Sequence, residues 1–182
     1  LAAHGIRQLE EIASVHIRVG ELPQRPTPPH RYQLPFPVEA LIERYCERAV
    51  LVRDGVKLSV EPLTEVEEIE FPEPFGTLEA FYAGAGLSTL LRTFAGKVRN
   101  LDYKAVRYPG HCALMRPLLE LGFFEREPVR LDGQEMERRE LTGRILADVL
   151  RGDAPDVVLV RVTLLGAKFG GRRRLEYELI DY

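Results

Sequence analysis

Arg107, Tyr108 and His111 place a guanidinium, a phenol and an imidazole within five residues, around the pair Pro109-Gly110. A planar, always-charged guanidinium can hold a carboxylate through two parallel hydrogen bonds, and an imidazole can carry a proton near neutral pH. Proline followed by glycine forces a turn. This turn follows a stretch with strand character, Val98 to Val106, and opens one with helix character, Cys112 to Leu121. Polar groups at a strand-to-helix turn reach the rim of a sheet, where small-molecule sites form. Imidazole near a helix N-terminus is biased toward its neutral form. Asp102, just upstream, is a candidate structural partner for it. Residue types and spacing leave two readings open: a carboxylate-binding corner served by His111, or an ordinary turn with a solvated arginine and a capping histidine.

Other residues with chemical potential are fewer. Gly84-Ala85-Gly86-Leu87-Ser88-Thr89 lies between a strand and a helix, as a dinucleotide loop does. The third glycine of that pattern is replaced by Thr89, and no acidic residue follows at the required distance. Free N–H groups and the hydroxyls of Ser88 and Thr89 can instead receive a carboxylate or simply cap the helix. His4, His16, His30 and His111 have no metal-ligand spacing. His16 alternates with apolar strand residues and is expected to face solvent. Hydrolase and kinase signatures are absent.

These groups need elements to position them. Leu1 to Glu11 reads as a short helix, and Ala13 to Val19 alternates as a half-buried strand. Pro23, Pro26, Pro28, Pro29, Pro35 and Pro37 then enforce a stiff extended loop that carries His30, Arg31 and Tyr32. Pro37 starts an amphipathic helix with Val38, Leu41, Ile42 and Tyr45 on one side. Asp54-Gly55 turns a hairpin between Ala49 and Leu58. Glu65 to Phe71 reads as an exposed edge strand and Leu78 to Ala83 as a buried one. Ser88 to Phe94 and Arg139 to Arg151 read as helices, and Asp156 to Leu165 with Arg172 to Ile180 as a closing hairpin across residues 166–171. Hairpins mixed with strand–helix units predict an α+β or α/β domain: one mixed β-sheet with helices packed on it.

The chain has 182 residues, 45% of them hydrophobic, enough for one domain with a core. Net charge is -3 with no basic face, which argues against nucleic acid. Arg172, Arg173 and Arg174 fit a solvated hairpin edge. Cys46 and Cys112 are far apart and unpaired in spacing, which favours reduced thiols and a cytoplasmic location. No apolar run nears the roughly 20 residues of a membrane span. A start at Leu1 inside a helical stretch suggests a fragment of a longer protein.

Five motifs stand together in order: Gly20-Glu21-Leu22-Pro23, the proline-rich loop ending in Tyr32, Leu78-Glu79-Ala80-Phe81, Gly86-Leu87-Ser88-Thr89-Leu90, and Arg107-Tyr108-Pro109-Gly110-His111. In these the chain resembles the C-terminal, substrate-side domain of saccharopine dehydrogenase-like oxidoreductases, closest to the lysine 6-dehydrogenase branch. The resemblance implies a non-Rossmann domain covering residues 1–182, whose N-terminal dinucleotide-binding domain is missing. It also implies NAD or NADP in the complete enzyme with none bound to this fragment, a small amino-acid substrate, a homodimer, and no activity of the fragment alone. It casts His111 as catalytic residue and Arg107, Tyr108, Tyr32, Ser88 and Thr89 as substrate-binding. The alternatives are a saccharopine dehydrogenase or reductase proper, and a non-catalytic dimerisation module.

Overall fold

The computed structural model describes residues 1–84, 88–94 and 96–182; the side chains of Ser88, Thr89 and Leu131 are not among what it describes. Its spine is β1 (Glu11–Pro23), which pairs parallel with β6 (Asn100–Arg107) and antiparallel with β9 (Asp156–Lys168). Outside β9 runs β10 (Gly171–Asp181). The far edge of β6 is shared. β2 (Ala49–Arg53) meets its first half at Leu101, and β5 (Gly76–Phe81) pairs with residues 105–107. Each continues as a hairpin, β2 into β3 (Val56–Val60), while β4 (Glu67–Phe71) pairs with β5. A separate two-stranded ribbon joins β7 (Pro128–Leu131) to β8 (Gln134–Glu137).

Five helices complete the described structure: α1 (Ala2–Ile6), α2 (Val38–Cys46), α3 (Ser88–Phe94), α4 (His111–Glu120) and α5 (Arg138–Val149). The expected α+β domain is what forms, a mixed sheet with helices packed on it. Side chains alternate across a strand, so odd residues of β6 face one side and even residues the other. On the odd side, Ala105 and Phe81 join Leu41, Ile42 and Tyr45 of α2, Met115 of α4 and Leu146 of α5 in one core. Each fully buried aliphatic there contributes about 1.5–3 kcal/mol, and Leu41→Ala should cost about 2–5 kcal/mol. Val15, Ile17, Leu101, Val162 and Leu164 form a second core with Ile6 of α1. Val106, Leu22, Leu78, Val157 and Leu159 form a third on the even side.

Beside that third core lies an ionic network. Arg18 donates to Glu67 at 2.5 Å and to Asp102 at 2.6 Å, and Lys104 donates to Glu67 at 2.8 Å. These bonds tie β4 down onto the sheet. His16 meets Asp102 at 3.1 Å, so it is engaged on this face and not simply turned to solvent. Asp102 is correspondingly unavailable to His111, because positions 102 and 107 lie on opposite faces of β6.

The structure departs from the sequence reading most clearly at two boundaries and one added ribbon. The first helix ends at Ile6, and Glu11 already belongs to β1, where pairing with β9 overrides local helix propensity. The closing hairpin keeps its strands to Lys168 and from Gly171, leaving only Phe169-Gly170 as the turn. The β7–β8 ribbon was not anticipated; its turn is Asp132-Gly133, with both residues at positive φ. No helix among the described residues is long and apolar enough to cross a membrane.

Candidate functional site

Arg107 is the last residue of β6, and His111 is the first of α4. Between them Gly110 takes φ +97°, a left-handed conformation that disfavours any residue with a Cβ. The turn is held by Glu79 of β5. Its carboxylate accepts the backbone N–H of Gly110 at 2.9 Å and of Cys112 at 2.6 Å. Two of the N–H groups that a helix start leaves unpaired are thereby satisfied, with a negative charge at the positive end of the helix dipole.

The turn delivers Arg107 and His111 into the interior beneath α2. Arg107 is 2% exposed and His111 is 2% exposed, each beyond the reach of bulk water. The Tyr45 hydroxyl of α2 lies 2.8 Å from Nε2 of His111. Tyr32, delivered by the proline-rich loop, sits between the two: the Arg107 guanidinium carbon is 4.8 Å from its ring centre, and the His111 ring centre is 4.7 Å away. Phe81 stacks on His111 at 6.2 Å with the planes 8° apart. The loop is anchored by Leu34 N–H on Leu150 and by the Gln33 side chain on Ala154.

Three buried polar atoms have no hydrogen-bond partner among the described residues: Tyr32 Oη, Arg107 Nε and His111 Nδ1. All three belong to this cluster. Natural interiors pair buried polar groups, so a concentration of orphans asks for a ligand. Among the described residues Arg107 donates from Nη1 to the carbonyl of Val106 at 2.8 Å, faces the Tyr45 phenol, and makes no ion pair. Its pKa is pulled down by burial but more strongly pushed up by the phenols of Tyr45, Tyr32 and Tyr103. That upward push needs phenolate. Burial raises the pKa of Tyr32, Tyr45 and Tyr103 themselves, so near pH 7 they are neutral dipoles. The guanidinium therefore stands charged and buried, without a counter-ion among the described residues. His111 is driven well below its ordinary pKa by burial, then by the charge of Arg107 and by His30, and is neutral at pH 7.

Tyr32 also lines a cleft of about 280 Å³ with Arg25, His30, Gln33, Arg151 and Asp153. A larger hollow of about 450 Å³ between α2 and α5 is lined by exposed charges such as Glu39 and Arg144. None of Tyr32, Arg107 and His111 lines it, whereas Tyr32 lines the smaller cleft.

Of the residues singled out from sequence, the fold brings together Arg107, His111 and Tyr32. Tyr108 goes elsewhere: its ring joins the third core on the opposite face, and its hydroxyl donates to the Pro23 carbonyl at 3.2 Å. Ser88 and Thr89 open α3, but their side chains, like residues 85–87, lie outside the described residues. Gly84 is a packing glycine: a Cβ there would fall 2.4 Å from that of Glu47. Arg31 and Arg92 are exposed. Tyr45 and Glu79 are the members that sequence reasoning missed. Tyr45 stands on the apolar face of its helix like any core aromatic, and Glu79 looks like one more strand residue.

The fold and this corner together define an α+β domain with a buried cation at the end of a central strand. The model of the saccharopine dehydrogenase C-terminal domain family matches residues 1–182, and the chain belongs to that family. Among solved structures it is similar to apo histidine-tagged saccharopine dehydrogenase (L-Glu forming) from Saccharomyces cerevisiae, with a TM-score of 0.77 and 12% identity. The match covers 99% of this chain and 56% of that one, and at this identity it is a likeness of fold.

Proposed function

We propose that this chain is the substrate-binding and dimerisation domain of an NAD(P)-dependent oxidoreductase of lysine metabolism, acting on a CH–NH or CH–NH2 group as a lysine 6-dehydrogenase does. The observation that carries the reading is Arg107, a buried cation that has, among the described residues, an unpartnered Nε–H and no paired carboxylate. A substrate carboxylate entering past Tyr32 supplies the missing counter-charge, and a guanidinium suits it by shape as well as charge. His111, neutral and with Nδ1 free, holds or moves a proton beside the bound amino acid.

The nicotinamide, bound by a dinucleotide-binding domain of the same polypeptide, supplies the hydride chemistry. This domain contributes binding, orientation and exclusion of water, and a second copy of the chain is the partner in a homodimer. Alone it is inactive. The family match favours saccharopine as a second substrate reading; a non-catalytic module is disfavoured, because its interior would have no use for an unpaired guanidinium.

The complete enzyme assayed against L-lysine and saccharopine, each with NAD and NADP, tests this. Turnover of one of the two is the expected result. Failure of both substrates with both cofactors, in a folded enzyme, removes the reading.

A further inference from the structure

The Tyr45–His111 contact fixes something that the burial of His111 alone does not: which ring nitrogen carries the hydrogen. We propose that Tyr45 is a positioning residue, whose hydroxyl donates to Nε2 of His111 and holds the imidazole in the tautomer with hydrogen on Nδ1. His111 Nδ1–H and Arg107 Nε–H are then two donors offered to the carboxylate of an amino-acid substrate. The inference rests on the reading of this corner as the substrate site, and deepens it by giving His111 the role of donor.

The argument is one of hydrogen-bond accounting. Tyr45 is fully buried, and its hydroxyl lies 2.8 Å from Nε2 of His111, with the donor-only guanidinium of Arg107 as its other polar neighbour. A neutral imidazole has one N–H and one bare nitrogen, and the bond made at one fixes the other. If the phenol donates, Nε2 accepts and a single orphan remains, an N–H at Nδ1. If the imidazole donated instead, the phenol hydrogen would have no acceptor, and the bare Nδ1 would be a second orphan. Buried orphans are expensive, so the first arrangement wins. The field of Arg107 acts the same way. A guanidinium beside the Tyr45 phenol draws the oxygen lone pairs toward itself and leaves the hydrogen to face Nε2.

The ring cannot easily rotate to exchange its nitrogens. Phe81 stacks on one side at 6.2 Å, and Tyr32 meets it edge-on at 4.7 Å. Donors are thus presented by Arg107 and His111 and, with Tyr32 Oη also unpartnered, by a third group on the ring that lies between them. A donor set of this kind suits an acceptor with two oxygens and a negative charge. An ammonium group, which can only donate, is repelled by the guanidinium and finds only the Tyr32 oxygen as an acceptor.

The test uses the full protein with 15N-labelled histidine, the His111 signals being assigned by their loss in His111→Gln. Long-range 1H–15N correlation is expected to show Nδ1 protonated and Nε2 bare, and Tyr45→Phe to give a tautomer mixture. L-Lysine should shift the Nδ1–H signal saturably, while 1,5-diaminopentane, which lacks the carboxylate, should not. In steady-state kinetics Tyr45→Phe should raise KM for the amino acid about tenfold, with a much smaller change in kcat, as expected for one misplaced hydrogen bond. A wild-type imidazole protonated on Nε2 overturns the proposal, and so does a tautomer unchanged in Tyr45→Phe. The wild-type spectrum decides the tautomer by itself, even if the variant does not fold. A Tyr45-dependent tautomer with no response to L-lysine or saccharopine would instead overturn the substrate reading of the corner and leave the positioning role standing.

Discussion

Glu79 stands directly opposite Arg107 in the β5–β6 ladder, yet the two do not pair. The Glu79 carboxylate turns to the backbone N–H groups of Gly110 and Cys112, and the guanidinium is left with a carbonyl and an aromatic face. Opposite charges at facing strand positions ordinarily join. Here the acid builds the helix start that carries His111, and the base keeps its charge for something else.

Glu79→Ala should unravel that helix start. One buried and one part-buried N–H group lose their acceptor, at a cost of about 1–3 kcal/mol. Glu79→Gln, which keeps one acceptor oxygen, should lose less. Urea midpoints for the two variants check this; equal midpoints for wild type and Glu79→Ala would show that the cap contributes nothing.

Arg107→Met should make the protein more stable in the absence of ligand. Relief from holding an unpaired cation away from water outweighs the lost carbonyl bond and the contact with Tyr32, giving a gain of about 1 kcal/mol. Thermal unfolding reads the sign. A drop of several kcal/mol would mean that the guanidinium has a counter-charge within the fold.

His111 should make stability fall with acid. Its folded pKa lies well below its unfolded one, so the neutral ring favours the fold and the contribution is fully present above about pH 6.5. It is lost as pH falls below that value toward the folded pKa, at up to about 1.4 kcal/mol per pH unit, because only the unfolded chain takes up the proton. His111→Gln should flatten the stability profile between pH 6.5 and 5. An unchanged slope there would place the titrating group elsewhere.

A second window belongs to Asp102. Burial raises its pKa, but the bond to His16 and the charge and bond of Arg18 outweigh that and hold it at about 2. Its stabilisation is present above the unfolded value near 4 and is lost as pH falls through about 2, worth about 2 kcal/mol in all. Asp102→Asn should remove that acid-side loss and lower stability at neutral pH. Denaturant midpoints at pH 7, 4 and 2.5 distinguish it from the His111 effect.

Local chemistry was legible in the chain, and long-range chemistry was not. The Asp54-Gly55 hairpin, the buried side of α2 and the junction of β6 with α4 follow from turn residues and periodicity, and all three form. The β7–β8 ribbon escaped because strands of four residues carry too little alternation. Arg107 and His111 stood out by type and spacing. Tyr45 did not, because its partner is 66 residues away and nothing local marks a core tyrosine as a hydrogen-bond donor. His16 was assigned to solvent for the same reason, its partner Asp102 being 86 residues distant. Tyr108 was grouped with Arg107 by adjacency, although neighbouring strand-end residues face opposite sides.

The central claim is that Arg107 receives the substrate carboxylate, and the most direct test is substrate saturation of the complete enzyme carrying Arg107→Gln. A buried charge-assisted contact is worth about 2–4 kcal/mol, so KM for the amino acid should rise about 30-fold to 1,000-fold while the affinity for the nicotinamide cofactor stays the same. A folded Arg107→Gln enzyme with wild-type KM would contradict the account.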